Sequence, residues 1–371
     1  MLSATGTTGS GGLAHANEPW GRSAPFRHPE SRLDGDEKML GKNTPVLLTG
    51  ATGFAGSVLA RQLCQQGCKV RAIARASSDR SALQDLPIEW TVGNIFEQSV
   101  VDPVAESVEY VFHVAAAYRD ARITDDIYRK VNVESTQKLA DAVTRLAPNL
   151  KRFVHFSTVG VHGHVENPPA DESAPFAPGD IYQETKVEAE RWIRGFAASH
   201  ALPLTVIRPA AIHGPSDNRL LKLFKLSKLP IVPIIGRSKG MYHLIHVEDL
   251  ASFAMAAAVS PESLGEVYIC GNERPTSIRE IIEIVAKEIN RDCRFVTIPA
   301  APVFTAARAC ELICRPLGIE PPLYPRRVAF FTKDRAFDTS KMQSVPGFSL
   351  KYTNRTGLVD TCQGYCEAGL L

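Results

Sequence analysis

The sequence has no hydrophobic run long enough to cross a bilayer, and it carries almost no net charge. A membrane-spanning helix needs roughly 20 consecutive apolar residues, but the most apolar stretch, Ala300 to Cys314, is shorter and contains Pro302, Arg308 and Glu311. The formal net charge is only +2, which provides no strong attraction to nucleic acid or to anionic membranes. We therefore predict no integral membrane segment and no nucleic-acid partner. Ala300 to Cys314 is interpreted as a packed helix, with a membrane-surface helix as the alternative.

Cysteine patterns typical of metal sites and an apolar secretory signal are also lacking. Of the eight cysteines, six form pairs four positions apart, a spacing that differs from common zinc knuckles and has no surrounding Cys/His cluster. The N-terminus has no apolar core of the secretory type. We therefore expect reduced thiols in a cytoplasmic protein and predict no metal site. The pairs are Cys64/Cys68, Cys310/Cys314 and Cys362/Cys366.

The chain divides by composition into a polar tail and a long folded part. Residues 1–42 are rich in Gly, Ser, Thr, Pro and charged residues without an apolar period, so we predict a disordered tail. Residues 43–210 are assigned to a dinucleotide-binding domain, to which 247–270 return. Residues 211–246 and 271–371, where prolines cluster, are assigned to a smaller substrate-binding lobe.

From Pro45 onwards, short apolar strands alternate with helical segments. This alternation predicts an α/β fold with a doubly wound parallel sheet of the Rossmann type and a smaller C-terminal substrate lobe. The predicted strands are Pro45–Leu48, Val70–Ala74, Ile88–Val92, Tyr110–Val114, Arg152–Phe156 and Leu204–Ile207, and the clearest helices are Val131–Leu146 and Tyr182–Ser199.

A glycine-rich turn, Thr49 to Gly56, lies between the first strand and the first helix. Its glycines allow the backbone to turn sharply and approach a pyrophosphate, while the helix N-terminus offers N–H groups and a partial positive charge. The strand before it and the helix after it favour this function over that of a plain tight turn. The candidate cofactor-binding residues in this turn are Gly50, Thr52, Gly53, Phe54 and Gly56.

The end of the second strand indicates which dinucleotide is bound. An acidic residue there binds the ribose 2′-hydroxyl of NAD, whereas an Arg accommodates the 2′-phosphate of NADP. The strand end itself has no acid, and Arg75 follows it with Ser77 and Arg80 nearby. We therefore predict NADP or NAD, with NADP slightly favoured; Asp79 could fold back and favour NAD.

Tyr182 and Lys186 form a candidate catalytic pair because they lie one helical turn apart on one face. A free phenol has a pKa near 10, and a nearby ammonium group stabilises the phenolate form. Such a Tyr can exchange the proton of a carbinol while hydride moves at a nicotinamide. Thr158 follows the fifth strand at the carboxyl edge of the sheet, where α/β folds bind ligands, and its hydroxyl is either catalytic or a turn cap.

The motifs taken together resemble the extended short-chain dehydrogenase/reductase family, which includes nucleotide-sugar epimerases and dehydratases, dihydroflavonol reductases and 3β-hydroxysteroid dehydrogenases. The resemblance covers roughly residues 44–368 and rests on the combination of motifs, since no single one is specific. The matching segments are Thr49–Gly56, His113–Ala116, Asn132-Val133, Ser157–Gly163, Tyr182–Lys186, Arg208-Pro209 and His246–Asp249.

This resemblance implies roles for individual residues. Thr158 matches the catalytic Ser/Thr of the family, and Lys186 would also hold the nicotinamide ribose. Ala115 would lie at the cofactor and Arg208 would border the nicotinamide pocket. Asn132 would be a structural residue near the site.

Several positions depart from the family pattern. Asn94, a candidate cofactor-binding residue, stands where the family often has an Asp that contacts adenine, and His162 and His213 stand where Tyr is common. A metal site at His162 and His164 is a weaker alternative to histidines that simply pack or hydrogen-bond. Val159-Gly160 replaces the Asp-Glu typical of sugar dehydratases, which argues against 4,6-dehydration.

Three functional hypotheses follow. Tyr242 stands where nucleotide-sugar enzymes often place an Arg, and Gly240–Ile245 resembles the reductase and steroid-dehydrogenase branch of the family. We therefore favour a dehydrogenase or reductase that acts on a secondary alcohol or ketone of a small or sterol-like substrate. A nucleotide-sugar 4-epimerase with tightly bound NAD is the second hypothesis, and Arg326-Arg327 could bind an anionic substrate. A non-catalytic cofactor-binding regulator is the third. A homodimer is left open beside a monomer.

Overall fold

The structure, a computed structural model, describes residues 40–118, 124–217, 219–236, 240–314, 316, 321–325, 328 and 334–371. Residues 1–39 of the predicted tail and the basic pair Arg326-Arg327 lie outside the described residues. Leu40 is buried in the main core, so the folded domain includes residue 40, three positions before the boundary assigned from composition.

A parallel seven-stranded sheet is the centre of the fold. Its order is β3-β2-β1-β4-β5-β6-β11, and its inner strands are short apolar runs buried on both faces, as parallel sheets require. The strands of the chain are β1 (Pro45–Thr49), β2 (Lys69–Ala74), β3 (Ile88–Val92), β4 (Tyr110–His113), β5 (Arg152–Phe156), β6 (Leu204–Pro209), β7 (Ala211–His213), β8 (Ile231–Ile235), β9 (Met241–Tyr242), β10 (Leu244–His246), β11 (Val267–Cys270), β12 (Thr276–Ser277) and β13 (Arg294–Ile298).

Helices cover both faces of this sheet. One face packs against α1 and α7, and the other against α2, α4 and α5, which confirms the predicted doubly wound Rossmann-type fold. The helices are α1 (Phe54–Gln65), α2 (Gln98–Ala105), α3 (Asp125–Arg129), α4 (Ser135–Leu146), α5 (Ile181–His200), α6 (Leu221–Phe224), α7 (Val247–Val259), α8 (Ile278–Glu288), α9 (Ala300–Cys314), α10 (Ser340–Gln343) and α11 (Asn354–Glu367).

The helix predicted over residues 131–146 is interrupted near its start. A π-helical turn, Lys130–Glu134, joins α3 to α4. Asn132 in this turn accepts a hydrogen bond from the Ala117 backbone N–H at 2.9 Å and donates one to the Thr185 hydroxyl at 2.9 Å. The π turn therefore points a buried amide towards the start of α5, and such turns are frequent at functional sites.

Residues 247–270 form α7 and the seventh strand, β11, which pairs with β6 in parallel register. A smaller lobe has its own core, in which α6, α8 and α11 pack against β8 and the β9–β10 segment. β8 and β13 form a two-stranded parallel sheet at this lobe. The core of this smaller lobe contains large apolar side chains such as Phe224, Ile282 and Tyr365.

The apolar segment Ala300–Cys314 forms α9 as predicted, but it is not packed. Only Ala307 in this helix is buried, while Leu312 and Ile313 are 75% and 64% exposed. The packed-helix interpretation is therefore wrong, because an apolar composition does not by itself provide a partner surface. Among the described residues, no helix has both the length and the apolar character needed to cross a membrane.

Candidate active site

The glycine turn is shaped by close backbone approach. Gly50 has φ +75°, and a Cβ atom there would lie 2.7 Å from the Ala115 backbone nitrogen, so the turn and the end of β4 touch without side chains between them. A Cβ atom on Gly56 would overlap the Gly50 carbonyl oxygen, which holds α1 tightly against the turn. Ala115 thus lies beside the glycine turn, and its contact with the cofactor stays a prediction.

The start of α1 has the properties needed to hold a dinucleotide. Gly53 is its N-cap, and within the described residues no side chain caps it and no acidic residue occupies the first turn. The N–H groups of this turn and the positive end of the helix dipole are therefore available to an anion. Together with the glycine cradle, these residues fit the pyrophosphate of a dinucleotide.

The predicted catalytic pair lies at the start of α5, where Asp180 caps the helix by accepting a hydrogen bond from the Gln183 N–H at 2.8 Å. Lys186 is almost completely buried, and its Nζ donates to the Phe156 carbonyl at 2.5 Å. Burial lowers the pKa of Lys186 to about 8, and the nearby charge of Glu190 partly opposes this shift. Tyr182 is mostly buried one turn earlier.

Two hydroxyl residues follow β5, and the structure separates their roles. The Ser157 hydroxyl donates to a Glu190 carboxylate oxygen at 2.5 Å, so it is directed towards the protein interior. The Thr158 hydroxyl accepts the Gly160 N–H at 3.1 Å and caps the following 3₁₀ turn. Gly160 in turn lies beside the Gln183 side chain, which places the Thr158 turn next to the start of α5.

A buried ion pair that the sequence interpretation missed fixes α5 to β6. Glu190 and Arg208 are almost fully buried, and the Arg208 Nε lies 3.1 Å from both carboxylate oxygens of Glu190. The other guanidinium nitrogens of Arg208 reach Glu190, His162 and the Glu172 carbonyl. The hydrogen bonds of Arg208 are thus made within the protein core, and its predicted place at the border of the nicotinamide pocket stays a prediction. Glu190 could have been found from its spacing, since it stands four residues after Lys186 on the same helix face.

His162 uses both ring nitrogens in this network. Its Nδ1 lies 3.3 Å from the Pro175 carbonyl and its Nε2 lies 3.1 Å from an Arg208 nitrogen, which requires a neutral ring protonated on Nδ1. Burial, followed by the charge of Arg208, lowers the pKa of His162. The alternative of a metal site with His164 is not supported, and no group of three or more potential ligands occurs among the described residues.

The predicted cofactor-selecting residues follow β2 and β3. Arg75 is exposed directly after β2, and its guanidinium makes no hydrogen bond or ion pair with the described residues. Asp79 accepts the Ser81 N–H at 2.9 Å, and this hydrogen bond lowers its pKa. Asn94 donates to the Glu97 carboxylate at 2.6 Å, so its amide group is oriented within the loop that follows β3.

A chain of aromatic and cationic side chains connects the glycine turn to Tyr182. The Arg219 guanidinium lies 5.2 Å from the ring of Phe54 and 5.7 Å from the ring of Tyr118, and Tyr118 contacts Tyr182 edge to face at 5.2 Å. The Arg219 Nε donates a hydrogen bond to the Asp217 carboxylate at 2.6 Å. Arg219 and Tyr118 are separated by about a hundred positions, so no sequence pattern could have indicated this wall of the site.

A cavity of about 700 Å³ lies on another part of the described surface. The charged side chains in its lining are Glu273, Asp334 and Asp338, and it lies beside Phe337. Neither Tyr182 nor Thr158 contributes to its lining. This opening is therefore separate from the glycine turn and the start of α5, where the predicted catalytic and cofactor-binding residues lie.

Comparison with known proteins agrees with this geometry. The model of the NAD dependent epimerase/dehydratase family matches residues 46–271, which is more than half of the chain. The protein belongs to this family, and the resemblance to extended short-chain dehydrogenases/reductases is confirmed. It is accordingly an enzyme of a family whose members are NAD-dependent oxidoreductases and epimerases.

Individual relatives are similar over much of the chain. A 3 beta-hydroxysteroid dehydrogenase/Delta 5-->4-isomerase of Mycobacterium tuberculosis is 27% identical over 350 residues, covering 90% of this chain and 94% of that protein. Sterol demethylase protein B of Methylococcus capsulatus is 35% identical over 178 residues, covering 47% of this chain and 53% of that protein. The crystal structure of gox2253 has a TM-score of 0.74 at 26% identity, covering 89% of this chain and all of that one.

Proposed function

We propose that the protein is an NAD(P)-dependent dehydrogenase or reductase that transfers hydride between nicotinamide and a secondary alcohol or ketone. The observation that carries this proposal is the placement of Tyr182 one helical turn before the buried Lys186, beside the Thr158 turn, at the edge of the sheet where the glycine turn lies. The names of two relatives refer to steroids or sterols, which supports a sterol-like substrate. A purified enzyme should oxidise or reduce a hydroxysteroid or ketosteroid, and absence of turnover with all such substrates would contradict this substrate class.

The chain's own residues supply the proton chemistry. A nicotinamide cofactor, when bound by these residues, would supply the hydride chemistry. Tyr182 takes the carbinol proton during oxidation and returns it during reduction, since a phenol can act as general acid or base when its ionised form is stabilised. Thr158 can donate its hydroxyl proton to the reacting oxygen while its own oxygen accepts the Gly160 N–H. The residues proposed to hold the cofactor are Gly50, Thr52, Gly53, Phe54, Gly56, Arg75, Asn94, Ala115 and Lys186.

Replacing Lys186 with Met is expected to weaken cofactor binding and slow turnover. The variant loses the ammonium that supports the phenolate form of Tyr182, so the rise of rate with pH should move to higher pH. The proposed contact to the nicotinamide ribose is lost as well. Cofactor titration and a pH–rate profile test both effects. An unmoved profile together with unchanged cofactor affinity would contradict the assignment.

The same variant should show an altered dependence of stability on pH. Because burial lowers the Lys186 pKa from 10.5 to about 8, the unfolded chain binds more protons than the native protein between these values. Wild-type stability attributable to Lys186 therefore rises over that interval. We expect the Tm of wild type relative to Lys186→Met to increase from about pH 8 to 10.5. A constant difference would show that Lys186 is not held in a desolvated position.

We propose a modest preference for NADP over NAD, supported by the exposed Arg75, whose guanidinium makes no hydrogen bond with the described residues, and by the hydrogen bond that Asp79 accepts from the Ser81 N–H. A guanidinium can hold a 2′-phosphate through charge-assisted hydrogen bonds. Arg75→Ala should weaken NADP binding by about tenfold with little effect on NAD, as measured by titrating each cofactor. Lys69→Ala, at the opposite end of β2, is the control. Equal losses for both cofactors, or a wild type that prefers NAD, would show that Arg75 does not bind the phosphate.

The alternative activity is a nucleotide-sugar 4-epimerase, and the family description does name epimerases. An epimerase returns the hydride to its own product and keeps its cofactor, so protein purified with tightly retained NAD would support it. Exchangeable NADP would support the reductase. A non-catalytic regulator is disfavoured because Thr158, Tyr182 and Lys186 are all present. The cytoplasmic location, the homodimer and the assignment of 211–246 and 271–371 to substrate binding stay predictions.

A further inference from the structure

The two-stranded sheet of β8 and β13 has one buried and one open face. Residues that pair across parallel strands point to the same side, and Ile231 pairs with Arg294 while Pro233 pairs with Val296. Between them on β8, Val232 points the other way and is fully buried in the core of the smaller lobe. The open face therefore consists of three pairs of residues: Ile231 and Arg294, Pro233 and Val296, and Ile235 and Ile298.

This open face is strongly apolar. Ile231 is 58% exposed, Val296 50% and Ile298 36%, and Pro233 is exposed between them. Ile235 completes the face at partial exposure. We call these five residues the β8–β13 patch. A contiguous exposed apolar patch of this kind indicates an interaction surface.

A basic segment leads directly into the patch. Residues 221–236 contain three lysines and no acidic residue, and Lys222, Lys225 and Lys228 are all exposed. Arg294 lies on the patch face itself, opposite Ile231, and is also exposed. The segment that leads into β8 is therefore positively charged, although the whole chain has a net charge of only +2.

We propose that the β8–β13 patch docks on an anionic lipid surface. Apolar side chains surrounded by lysines enter the boundary between headgroups and acyl chains, while the lysines are attracted by anionic headgroups. A second copy of the chain is a poorer occupant, because a symmetric dimer through this face would bring two surfaces of the same positive charge together. This inference does not depend on the proposed reaction and can be tested without substrate or cofactor.

The test is co-sedimentation of the full chain with vesicles of phosphatidylcholine alone and with vesicles that also contain phosphatidylglycerol. We expect binding to the anionic vesicles that weakens with added salt. I231S/V296S should lose most of this binding. K225E/K228E should weaken it by at least about fivefold for each lysine removed. Val92→Ser, at an equally exposed position on β3, should bind like wild type.

Thermal melting establishes that each variant is folded before its binding is compared. Equal sedimentation of wild type with both kinds of vesicle would overturn the proposal. So would normal binding by folded I231S/V296S, because the apolar patch would then not be the contact. Sedimentation velocity without vesicles provides a further check. A wild-type dimer that I231S/V296S dissociates would identify the patch as a surface for a second copy instead.

Discussion

Tyr182→Phe is expected to reduce kcat by about 10²–10⁴-fold, the usual contribution of a general acid–base group, while cofactor binding persists. The substitution removes only the hydroxyl oxygen that exchanges the substrate proton. The ring keeps its edge-to-face contact with Tyr118 and its mostly buried position, so the start of α5 should remain folded. The measurement is steady-state turnover together with titration of the cofactor.

Tyr128→Phe is the matched control, because Tyr128 is buried in the same apolar cluster as Tyr182 but is given no part in proton transfer. It should retain most of the wild-type kcat. If Tyr182→Phe kept more than half of wild-type kcat, proton transfer would have to be assigned to another group. A parallel loss in Tyr128→Phe would instead indicate that the cluster as a whole had been disturbed.

Arg208→Met should lower the free energy of unfolding by about 3–5 kcal/mol, which is the usual effect of removing one partner of a buried ion pair. The Glu190 carboxylate would lose all its contacts with Arg208 and keep the short hydrogen bond from Ser157, with only the half-exposed Arg194 remaining as a cation at 3.9 Å. A buried carboxylate without its counter-charge is strongly destabilising. Urea denaturation gives the free energy directly.

The double substitution E190L/R208M should recover much of this loss, because a buried pair replaced by apolar residues leaves no uncompensated charge. Arg145→Met is the control for a surface ion pair, since Arg145 is exposed between Asp102 and Asp141, and it should change stability little. An Arg208→Met variant as stable as wild type would show that the pair does not hold α5 to β6. Loss of cofactor affinity in folded Arg208→Met without loss of stability would support the role predicted from the sequence at the nicotinamide pocket.

The position of Arg208 in the sequence does not by itself show which residues its side chain contacts. Arg208 follows the sixth strand, and the resemblance alone implied that it borders the nicotinamide. A strand end can point its side chain either towards the ligand edge or back into the layer of helices. In this protein the side chain of Arg208 points into the layer of helices, because Glu190 on α5 accepts its hydrogen bonds. Glu190 lies four residues after Lys186 and therefore on the same face of α5.

The sequence by itself determined the elements whose signals are local. Alternating short apolar strands and helices predicted the doubly wound sheet, and the glycine turn and the Tyr182–Lys186 spacing predicted which segments meet at its edge. These patterns can be recognised in the sequence because hydrophobic periodicity, and the backbone conformations that only glycine adopts easily, are determined by residues a few positions apart. The family motifs strengthened the prediction since they combine several such signals along one chain.

Only the tertiary structure decided which groups are brought together from distant segments. It placed Arg219 between Phe54 and Tyr118, turned Ser157 inward towards Glu190, left α9 almost without a packing partner and exposed the outer face of β8 and β13. Apolar composition predicted α9 but not its exposure, because burial depends on whether another surface lies within reach. Contacts between residues a hundred positions apart follow from the packing of the whole core, and no local pattern in the sequence encodes them.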